Sequence, residues 1–335
     1  MKTIGYNGEQ SEFIIQTPPT PLATGFDLLV KIEAIAINPA DYKVKNSIKT
    51  AQDQLRILGW DASGIVEAAG ENVSQFSVGD HVYYAGDITR PGCYASHQLV
   101  DARIVGKAPK TLNFTQSAAL PLTSITAWEA LFERLKINPS KDQDKTLLVI
   151  GGAGGVGSIA IQLAKKVAGL TVIATASRPD SRLWCMNLGA NHTVDHSKDI
   201  IEEFAKKSLP APDYILCLNN TTQYFPTLCK LIAPQGMICS IVETPEPLDL
   251  MPLFSKSAGF VWEFMFTRSM HQTKDIEKQG FLLNKISELI DKGTLKTTLQ
   301  HKGGKISIKN INQSLIEIEK GQRIGKTVLT TFSGE

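Results

Sequence analysis

A glycine-rich stretch near the middle of the chain constrains the fold more strongly than any other feature. Gly152-Ala153-Gly154-Gly155-Val156-Gly157 matches the pattern G-x-G-x-x-G. The apolar run Thr146–Ile150 precedes it, and apolar residues at helical spacing follow over Gly155–Val167. A strand that enters a helix through such a turn lets backbone N–H groups and the positive helix end face a pyrophosphate. In this context the pattern predicts a dinucleotide-binding unit.

Strands and helical patterns alternate on both sides of this turn. Further apolar strands are predicted at Thr171–Ala176, Tyr214–Leu218 and Gly236–Val242, with helical patterns between them. Such alternation is typical of a parallel sheet with helices on both faces. The predicted fold class is therefore α/β, with a doubly wound Rossmann sheet over residues 124–265.

The two ends of the chain differ from this middle part. The first third is rich in β-branched runs, such as Phe26–Ile37, separated by Gly, Pro and Asp turn signals. The tail has a long helical pattern, Asp275–Lys292, and a closing strand, Thr327–Thr331. These are too few strands for a separate domain. We therefore expect residues 266–335 to join residues 1–123 in one β-rich domain.

Composition excludes several classes of protein. The chain has 35 Lys plus Arg against 33 Asp plus Glu without a clustered basic run, which disfavours a nucleic-acid partner. It has no apolar run of the ~18 residues that a membrane span needs. No apolar signal-peptide region follows Met1, so we expect a cytoplasmic protein. The five cysteines form no C-x-x-C pair, which fits a reducing compartment.

The end of the second parallel strand indicates which dinucleotide binds. NAD-binding sheets place Asp or Glu about 20 residues after the glycines, where it binds the ribose 2′-hydroxyl. There is no acid between Ser158 and Pro179, and the strand ends in Ser177-Arg178, with Arg182 a turn later. A hydroxyl and a guanidinium suit a 2′-phosphate and favour NADP(H). The alternative is that both arginines are solvated surface charges.

Five segments spread over nearly the whole chain carry a resemblance to a known family. They are Asn38–Asp41, Ser63–Val82, Leu120–Leu131, Val149–Gly157 and Gly325–Leu329. Together they resemble the medium-chain dehydrogenase/reductases, in the zinc-free quinone oxidoreductase branch that is often labelled zinc-type alcohol dehydrogenase-like. The resemblance implies that the β-rich domain is a GroES-like substrate domain into which the Rossmann domain is inserted. It also implies a homodimer.

The sequence argues against zinc in this family member. Zinc-containing relatives carry Cys, then His-Glu, then a further Cys or acid in the matching segments. Here those positions hold Asn38, Trp60-Asp61 and Leu122. Trp and Leu do not ligate zinc, and Asn is a poor substitute for a thiolate. Only Cys93 lies where a structural zinc would need four cysteines, so we expect neither a catalytic nor a structural zinc.

The absence of a Lewis acid favours a substrate that is already electron-poor, such as a quinone or an α,β-unsaturated carbonyl. The resemblance implies that Thr126 lies beside the nicotinamide and that Asn38 lies on the wall of the substrate pocket. Tyr42 either donates a proton or lines this pocket. Trp60 either forms a flat apolar wall for a planar substrate or fills the core.

Positions that match the family imply further cofactor contacts. Ser177 and Arg178 would hold the 2′-phosphate. His196 would lie beside it, or would be an exposed loop histidine. Asn219 and Val242 end strands at the carboxyl edge of the sheet, where such sheets bind their ligands. Phe266 packs either on the cofactor or in the core. Lys326 either reaches the phosphates or caps the surface.

The leading interpretation is an NADPH-dependent reductase of quinones or α,β-unsaturated carbonyls. Two alternatives stay open. One is a zinc-type alcohol dehydrogenase with substituted ligands. The other is a non-catalytic sensor or scaffold that binds NADPH, because fold alone does not establish catalysis and the sequence shows no indispensable catalytic acid.

Overall fold

The computed structural model describes residues 1–49 and 55–332. The chain divides into two compact units, one of Met1–Ile125 with Phe266–Glu335 and the other of Thr126–Met265. The second unit therefore begins two residues after the predicted start at residue 124. Within the described ranges, no helix is both long enough and apolar enough to cross a membrane.

In chain order, the strands of the described residues are β1 (Thr3–Asn7), β2 (Glu12–Gln16), β3 (Asp27–Ala36), β4 (Arg56–Ile57), β5 (Ala62–Ala69), β6 (His81–Tyr84), β7 (His97–Asp101), β8 (Gly106–Lys107), β9 (Thr146–Ile150), β10 (Thr171–Thr175), β11 (His192–Val194), β12 (Tyr214–Cys217), β13 (Met237–Ser240), β14 (Gly259–Trp262), β15 (Leu299–Ile306) and β16 (Lys326–Phe332).

The helices are numbered in the same way. They are α1 (Pro39–Ser47), α2 (Phe114–Ala118), α3 (Pro121–Trp128), α4 (Gly155–Gln162), α5 (Pro179–Leu188), α6 (Ile200–Lys206), α7 (Thr221–Leu231), α8 (Met251–Phe254), α9 (Thr267–Met270), α10 (Lys278–Asp291) and α11 (Ile308–Glu319). A 3₁₀ turn covers Ala102–Ile104, and π-helical turns extend α3 over Glu129–Arg134 and α4 over Leu163–Val167.

The second unit contains a six-stranded parallel sheet in the order β11-β10-β9-β12-β13-β14. Every residue of β9 is buried. Successive side chains of a strand point to opposite faces, so both faces of the sheet are covered at β9. Leu148 and Ile150 pack on one face with apolar residues of α6 and α7, such as Phe204 and Phe225. The predicted doubly wound α/β fold is confirmed.

The first unit contains a seven-stranded sheet in the order β15-β16-β3-β5-β6-β8, with β7 also paired to β3. The closing strand β16 pairs antiparallel with β3, where Val328 lies opposite Ala36. The C-terminal strands β15 and β16 therefore belong to the same sheet as the N-terminal strand β3. This agrees with the expectation that the tail, which has too few strands for a domain, joins the N-terminal part. A smaller sheet, β2-β1-β4, belongs to the same unit.

The sequence patterns missed several elements and misplaced one boundary. The strands β14 and β15 lie at the ends of their sheets, and β15 (LQHKGGKI) contains two glycines and mostly polar residues. Edge strands of this kind lack the apolar alternation that identifies a strand. The sequence pattern predicts a strand over Tyr94–Val100, but β7 begins only at His97. The reason is a turn at Cys93, Tyr94 and Ala95, whose N–H groups donate to the carbonyls of Gly59, Leu58 and Cys93.

Candidate functional site

The glycine turn lies between β9 and α4. Gly151 follows the strand with φ +81°, a backbone conformation that favours glycine. Gly154 is the N-cap of α4, and no side chain caps the helix there. The first N–H groups of an α-helix have no partner within the helix, and they coincide with its positive end. The turn therefore presents backbone donors to an anion, as the motif predicts.

The glycines of the motif serve different purposes. A Cβ on Gly157 would lie 2.5 Å from the Gly151 carbonyl oxygen, and one on Gly152 would lie 2.8 Å from Cβ of Ala174. Both positions therefore need glycine for the chain to pack. A Cβ on Gly154 would have one neighbour, the Gly151 oxygen at 3.5 Å, which is an ordinary contact. Packing does not require glycine at 154, and the open space there fits the predicted approach of a ligand.

Side chains from two neighbouring elements hold the turn in place. The Gly151 N–H donates to Oγ1 of Thr175, the last residue of β10, over 2.9 Å. The Ser158 hydroxyl donates to the Gly154 carbonyl over 2.7 Å, and Nε1 of Trp184 on α5 donates to that hydroxyl oxygen over 2.8 Å. The cradle is thus organised without a ligand, and a pyrophosphate fits its donor set.

Three of the predicted cofactor residues follow strands adjacent to this cradle. The order β10-β9-β12-β13 brings Ser177, Asn219 and Val242 to the same carboxyl edge of the sheet as the glycine turn. Chain connections reverse direction between β9 and β12, and such a switch point is where dinucleotides bind in open parallel sheets. Asn219 is exposed, and the Val242 carbonyl accepts a hydrogen bond from the Thr221 hydroxyl over 2.5 Å.

Arg182 has hydrogen-bond partners within the protein. Its guanidinium donates to Oδ2 of Asp195 over 2.9 Å, to the Ser177 carbonyl over 2.7 Å and to the Ala176 carbonyl over 3.2 Å. Its side chain is still 42% exposed, so Arg182 is a partly solvated arginine with protein partners. Arg182 fixes the loop that carries Ser177 and Arg178, and Arg178 is the exposed N-cap of α5.

His196 is half-buried, so the alternative of an exposed loop histidine does not describe it. Its Nδ1 is buried and has no hydrogen-bond partner among the residues that the structure describes. Burial lowers the pKa of His196, the Arg178 guanidinium lowers it further, and the Asp195 carboxylate acts in the opposite direction. His196 is therefore neutral at pH 7, and its Nδ1 is available for a hydrogen bond to a ligand near the Arg178 guanidinium.

In the first unit, Lys326 is buried in an ionic network. Its ammonium donates to the Ile37 carbonyl over 3.1 Å, to Oδ2 of Asp61 over 3.0 Å, and to Oδ1 of Asn38. An ammonium has three N–H donors, and these three partners use all of them. Only 4% of Lys326 is exposed, so the interpretation of this lysine as a surface cap is wrong, and no N–H remains for a cofactor phosphate.

Asn38 and Asp61 are saturated by the same network. The Asn38 amide nitrogen donates to Oδ2 of Asp61 over 3.0 Å, and Oδ1 of Asp61 accepts the Leu122 N–H over 3.0 Å. Burial raises the pKa of Asp61, and the Lys326 charge opposes that rise. Asn38 is 1% exposed. Its amide is therefore bonded within this network, and its place on the wall of a substrate pocket stays a prediction.

A second buried carboxyl group lies beside this network. Oδ2 of Asp41 accepts the Asn38 N–H over 3.0 Å and the Tyr94 hydroxyl over 2.9 Å, while its Oδ1 has no hydrogen-bond partner within residues 1–49 and 55–332. Burial raises the pKa of Asp41 to about 7, although these hydrogen bonds and the Lys326 charge lower it. Asp41 therefore holds the loop backbone before α1, and it changes charge near neutral pH.

The aromatic candidates lie in or near the core. Trp60 is 1% exposed, its Nε1 donates to the Asp87 carbonyl over 3.2 Å, and its ring stands edge-on to Phe266 at 6.2 Å. Both rings therefore pack in the core, which is the alternative that the sequence left open beside contact with a substrate for Trp60 and with the cofactor for Phe266. Tyr42, on α1, is half-buried. Thr126 is buried on α3, in the other unit.

The residues at the zinc-ligand positions do not fit a zinc ion. Asn38, Asp61 and Leu122 do converge, but an internal ammonium already takes the acceptor oxygens of the first two. Cys93 lies close by, with Sγ 3.5 Å from the Asp61 carbonyl oxygen, and burial raises the pKa of its thiol, which disfavours the thiolate that zinc binds. Over residues 1–49 and 55–332, no group of three or more His, Cys, Asp or Glu could hold a metal ion.

Two family models match the chain. The alcohol dehydrogenase GroES-like domain matches residues 25–110, and the zinc-binding dehydrogenase model matches residues 155–277. A zinc-type alcohol dehydrogenase-like protein of Staphylococcus aureus is 42% identical over 338 residues, which cover 98% of this chain and 99% of that protein. A 2-methylene-furan-3-one reductase of Solanum lycopersicum is 29% identical over 312 residues, which cover 90% of this chain and 71% of the reductase.

Solved structures show the same fold. A protein of Rhizobium etli, named as a zinc-dependent alcohol dehydrogenase, superposes with a TM-score of 0.94 at 44% identity, covering 99% of this chain and 98% of that one. The quinone oxidoreductase of Escherichia coli, in complex with NADPH, gives a TM-score of 0.83 at 21% identity and covers 98% of this chain and 100% of that one. The second likeness shows the fold alone.

The contrast between two glycines gives a testable prediction. We expect Gly154→Ala to keep the fold and to weaken NADPH binding by roughly 10-fold or more, or ~1.4 kcal/mol, because its methyl group would occupy the space of the pyrophosphate. Fluorescence titration of NADPH measures the affinity, and thermal unfolding measures the stability. Gly157→Ala is the matched variant, and we expect it to lose stability instead. Unchanged NADPH affinity in Gly154→Ala would contradict this assignment of the turn.

Proposed function

Since this chain belongs to the medium-chain dehydrogenase/reductase superfamily, we propose that it transfers a hydride from NADPH to quinones or α,β-unsaturated carbonyls without a zinc ion. The observation that carries this proposal is the buried ammonium of Lys326, bound to Asn38 and Asp61 where zinc relatives hold their metal. NADPH, when bound, supplies the hydride. Without a Lewis acid at this place, the acceptor must be activated by its own conjugation.

The preference for NADPH over NADH is part of the proposal. The loop after β10 carries Ser177 and Arg178 and no carboxylate, and the nearby Asp195 is already paired with Arg182 over 2.9 Å. A 2′-phosphate would therefore meet a hydroxyl, a guanidinium and the His196 ring rather than an unpaired negative charge. Asn219 and Val242 would meet the cofactor farther along the same edge of the sheet.

Tyr42 is the proposed substrate-side donor. It lies on α1, whose N-cap is Asn38, and burial raises its pKa, with a contribution from the Glu319 carboxylate. Its hydroxyl therefore stays protonated at neutral pH and can give a proton to an acceptor that has received a hydride. Thr126, on α3, would lie beside the nicotinamide. Trp60 and Phe266 would support the substrate region by packing.

A homodimer belongs to the same proposal. The strand β14 ends the parallel sheet, and the rings of Trp262 and Phe264 at its end are 44% and 48% exposed. A second copy of the chain would remove this apolar surface from water.

An assay of NADPH consumption tests the proposed reaction. We expect turnover with quinones and α,β-unsaturated ketones, none with saturated ketones or ethanol, and rates unchanged after treatment with a strong chelator. A chelator-sensitive oxidation of ethanol, with about one zinc per chain, would instead support a zinc-type alcohol dehydrogenase. Tight NADPH binding without turnover of any acceptor would support the sensor.

Arg178 gives a prediction on cofactor choice. Arg178→Ala removes charged hydrogen bonds to the 2′-phosphate, worth about 1.5–3 kcal/mol, so we expect NADPH to bind roughly 10- to 100-fold more weakly while NADH is unaffected. Titration of both coenzymes measures this. Lys206→Ala is the control, because Lys206 is an exposed cation of the same unit on α6. Equal losses for the two coenzymes would refute the role of Arg178.

His196 gives a prediction on pH. Its pKa is lowered in the free protein, and a bound 2′-phosphate would raise it, so binding of NADPH takes up a proton that binding of NADH does not. The ratio of NADPH to NADH affinity should therefore rise as the pH falls from about 8 to about 6.5. Titrations at several pH values measure the ratio, and His196→Gln should flatten the profile. An identical profile in that variant would exclude His196 as the responsible group.

A further inference from the structure

The Lys326 network is unusual because it lies in the interior of the first unit. The side chain of Lys326 is 4% exposed and that of Asp61 is 0% exposed. Removing two charges from water costs several kcal/mol for each ion, even after relaxation. An apolar pair of similar size would often be as stable, so the ion pair is weak evidence for a purely stabilising role. A role in positioning the groups that the two charges bind is therefore the alternative to consider.

The network joins the beginnings of two helices. Asn38 is the N-cap of α1, and its amide bridges the Lys326 ammonium and the Asp61 carboxylate. The other oxygen of that carboxylate accepts the N–H of Leu122, in the first turn of α3. One cation thus fixes the start of α1, which carries Tyr42, and through Asp61 the start of α3, which carries Thr126.

The oxygens around the ammonium form a compact cation site. They are the Ile37 carbonyl, the Asn38 amide oxygen and an Asp61 carboxylate oxygen, and the first and third lie 3.1 Å and 3.0 Å from Nζ. Carbonyl, amide and carboxylate oxygens are ligands of hard cations. Lys326 is the first residue of β16, so the closing strand of the chain carries the cation of this site.

We propose that Lys326 is a positioning residue whose ammonium serves as a built-in cation, holding Asn38 and Asp61 in the places that set α1 and α3 for the reaction. This inference rests on the proposed function, because α1 and α3 carry the proposed substrate and nicotinamide residues. The role requires the positive charge at this point in space, and not the covalent link to the chain. A free ammonium of the right size should therefore replace the side chain.

Chemical rescue tests this requirement. Lys326→Ala keeps Cβ and removes three methylene groups and the ammonium, which propylammonium supplies in full. Propan-1-ol is the matched neutral molecule. The variant is assayed for NADPH oxidation with the quinone that the wild-type protein turns over best, with and without each additive. The thermal unfolding midpoint is recorded under the same conditions.

We expect Lys326→Ala to lose at least about 10-fold in kcat, or ~1.4 kcal/mol, while KM for NADPH changes less than about 2-fold, because the proposed NADPH contacts lie in the other unit. Propylammonium should restore most of the kcat and raise the unfolding midpoint, and propan-1-ol should do neither. Lys302→Ala is the control, because Lys302 is an exposed lysine on the neighbouring strand β15. It should match the wild type under all conditions.

Several outcomes would overturn the proposal. Equal rescue by propan-1-ol would show that volume rather than charge is needed, and so would wild-type kcat in Lys326→Met, whose side chain fills the space without a charge. Rescue of the unfolding midpoint without rescue of kcat would reduce the lysine to a structural role. If Lys326→Ala does not fold alone, it is refolded in propylammonium, and the kcat of the refolded protein with and without the additive gives the same decision. If the wild-type protein turns over no acceptor, the proposed function fails, while the midpoint comparison still tests the cation site.

Discussion

The ion pair between Lys326 and Asp61 is the interaction on which the first unit depends. It connects the closing strand β16 with the beginning of β5, and through Asn38 it reaches the helix that follows β3. Breaking a buried pair from one side leaves an uncompensated charge, which costs about 3–5 kcal/mol. The pair thus holds the two ends of the chain together in the β-rich unit, although the whole parallel sheet lies between them in sequence.

The second unit depends on short-range constraints, and these could be predicted from the sequence. Gly157 is required by a contact within a single strand–turn–helix, Gly151 by its φ of +81°, and Gly152 by Ala174 on the neighbouring strand β10, while the apolar run of β9 lies directly before all three. The signals for the parallel sheet and for the missing carboxylate after β10 are equally local. Local patterns of this kind determine local geometry, and the order of parallel strands then follows from few topological rules.

The parts that the sequence could not show depend on partners far apart in the chain. Lys326 and Asn38 are separated by 288 positions, and no periodicity marks either as buried. Arg182 shows the same difficulty, because its charge and spacing suit a phosphate until Asp195 is found 2.9 Å away. The resemblance singles out Asn38, Asp61 and Lys326 one by one, but nothing in the sequence indicates that the three bond to one another.

The chemistry of the ammonium explains why a chain related to zinc-type dehydrogenases need not act on simple alcohols. A zinc ion with an open position accepts a lone pair from a carbonyl oxygen and stabilises the charge that develops there. An ammonium can only donate hydrogen bonds, and the three donors of Lys326 are taken by Ile37, Asn38 and Asp61. This cation can therefore organise the protein but cannot polarise a substrate. In the proposed reaction, the electron demand that a zinc ion would supply has to reside in the acceptor itself, as it does in a quinone or a conjugated enone.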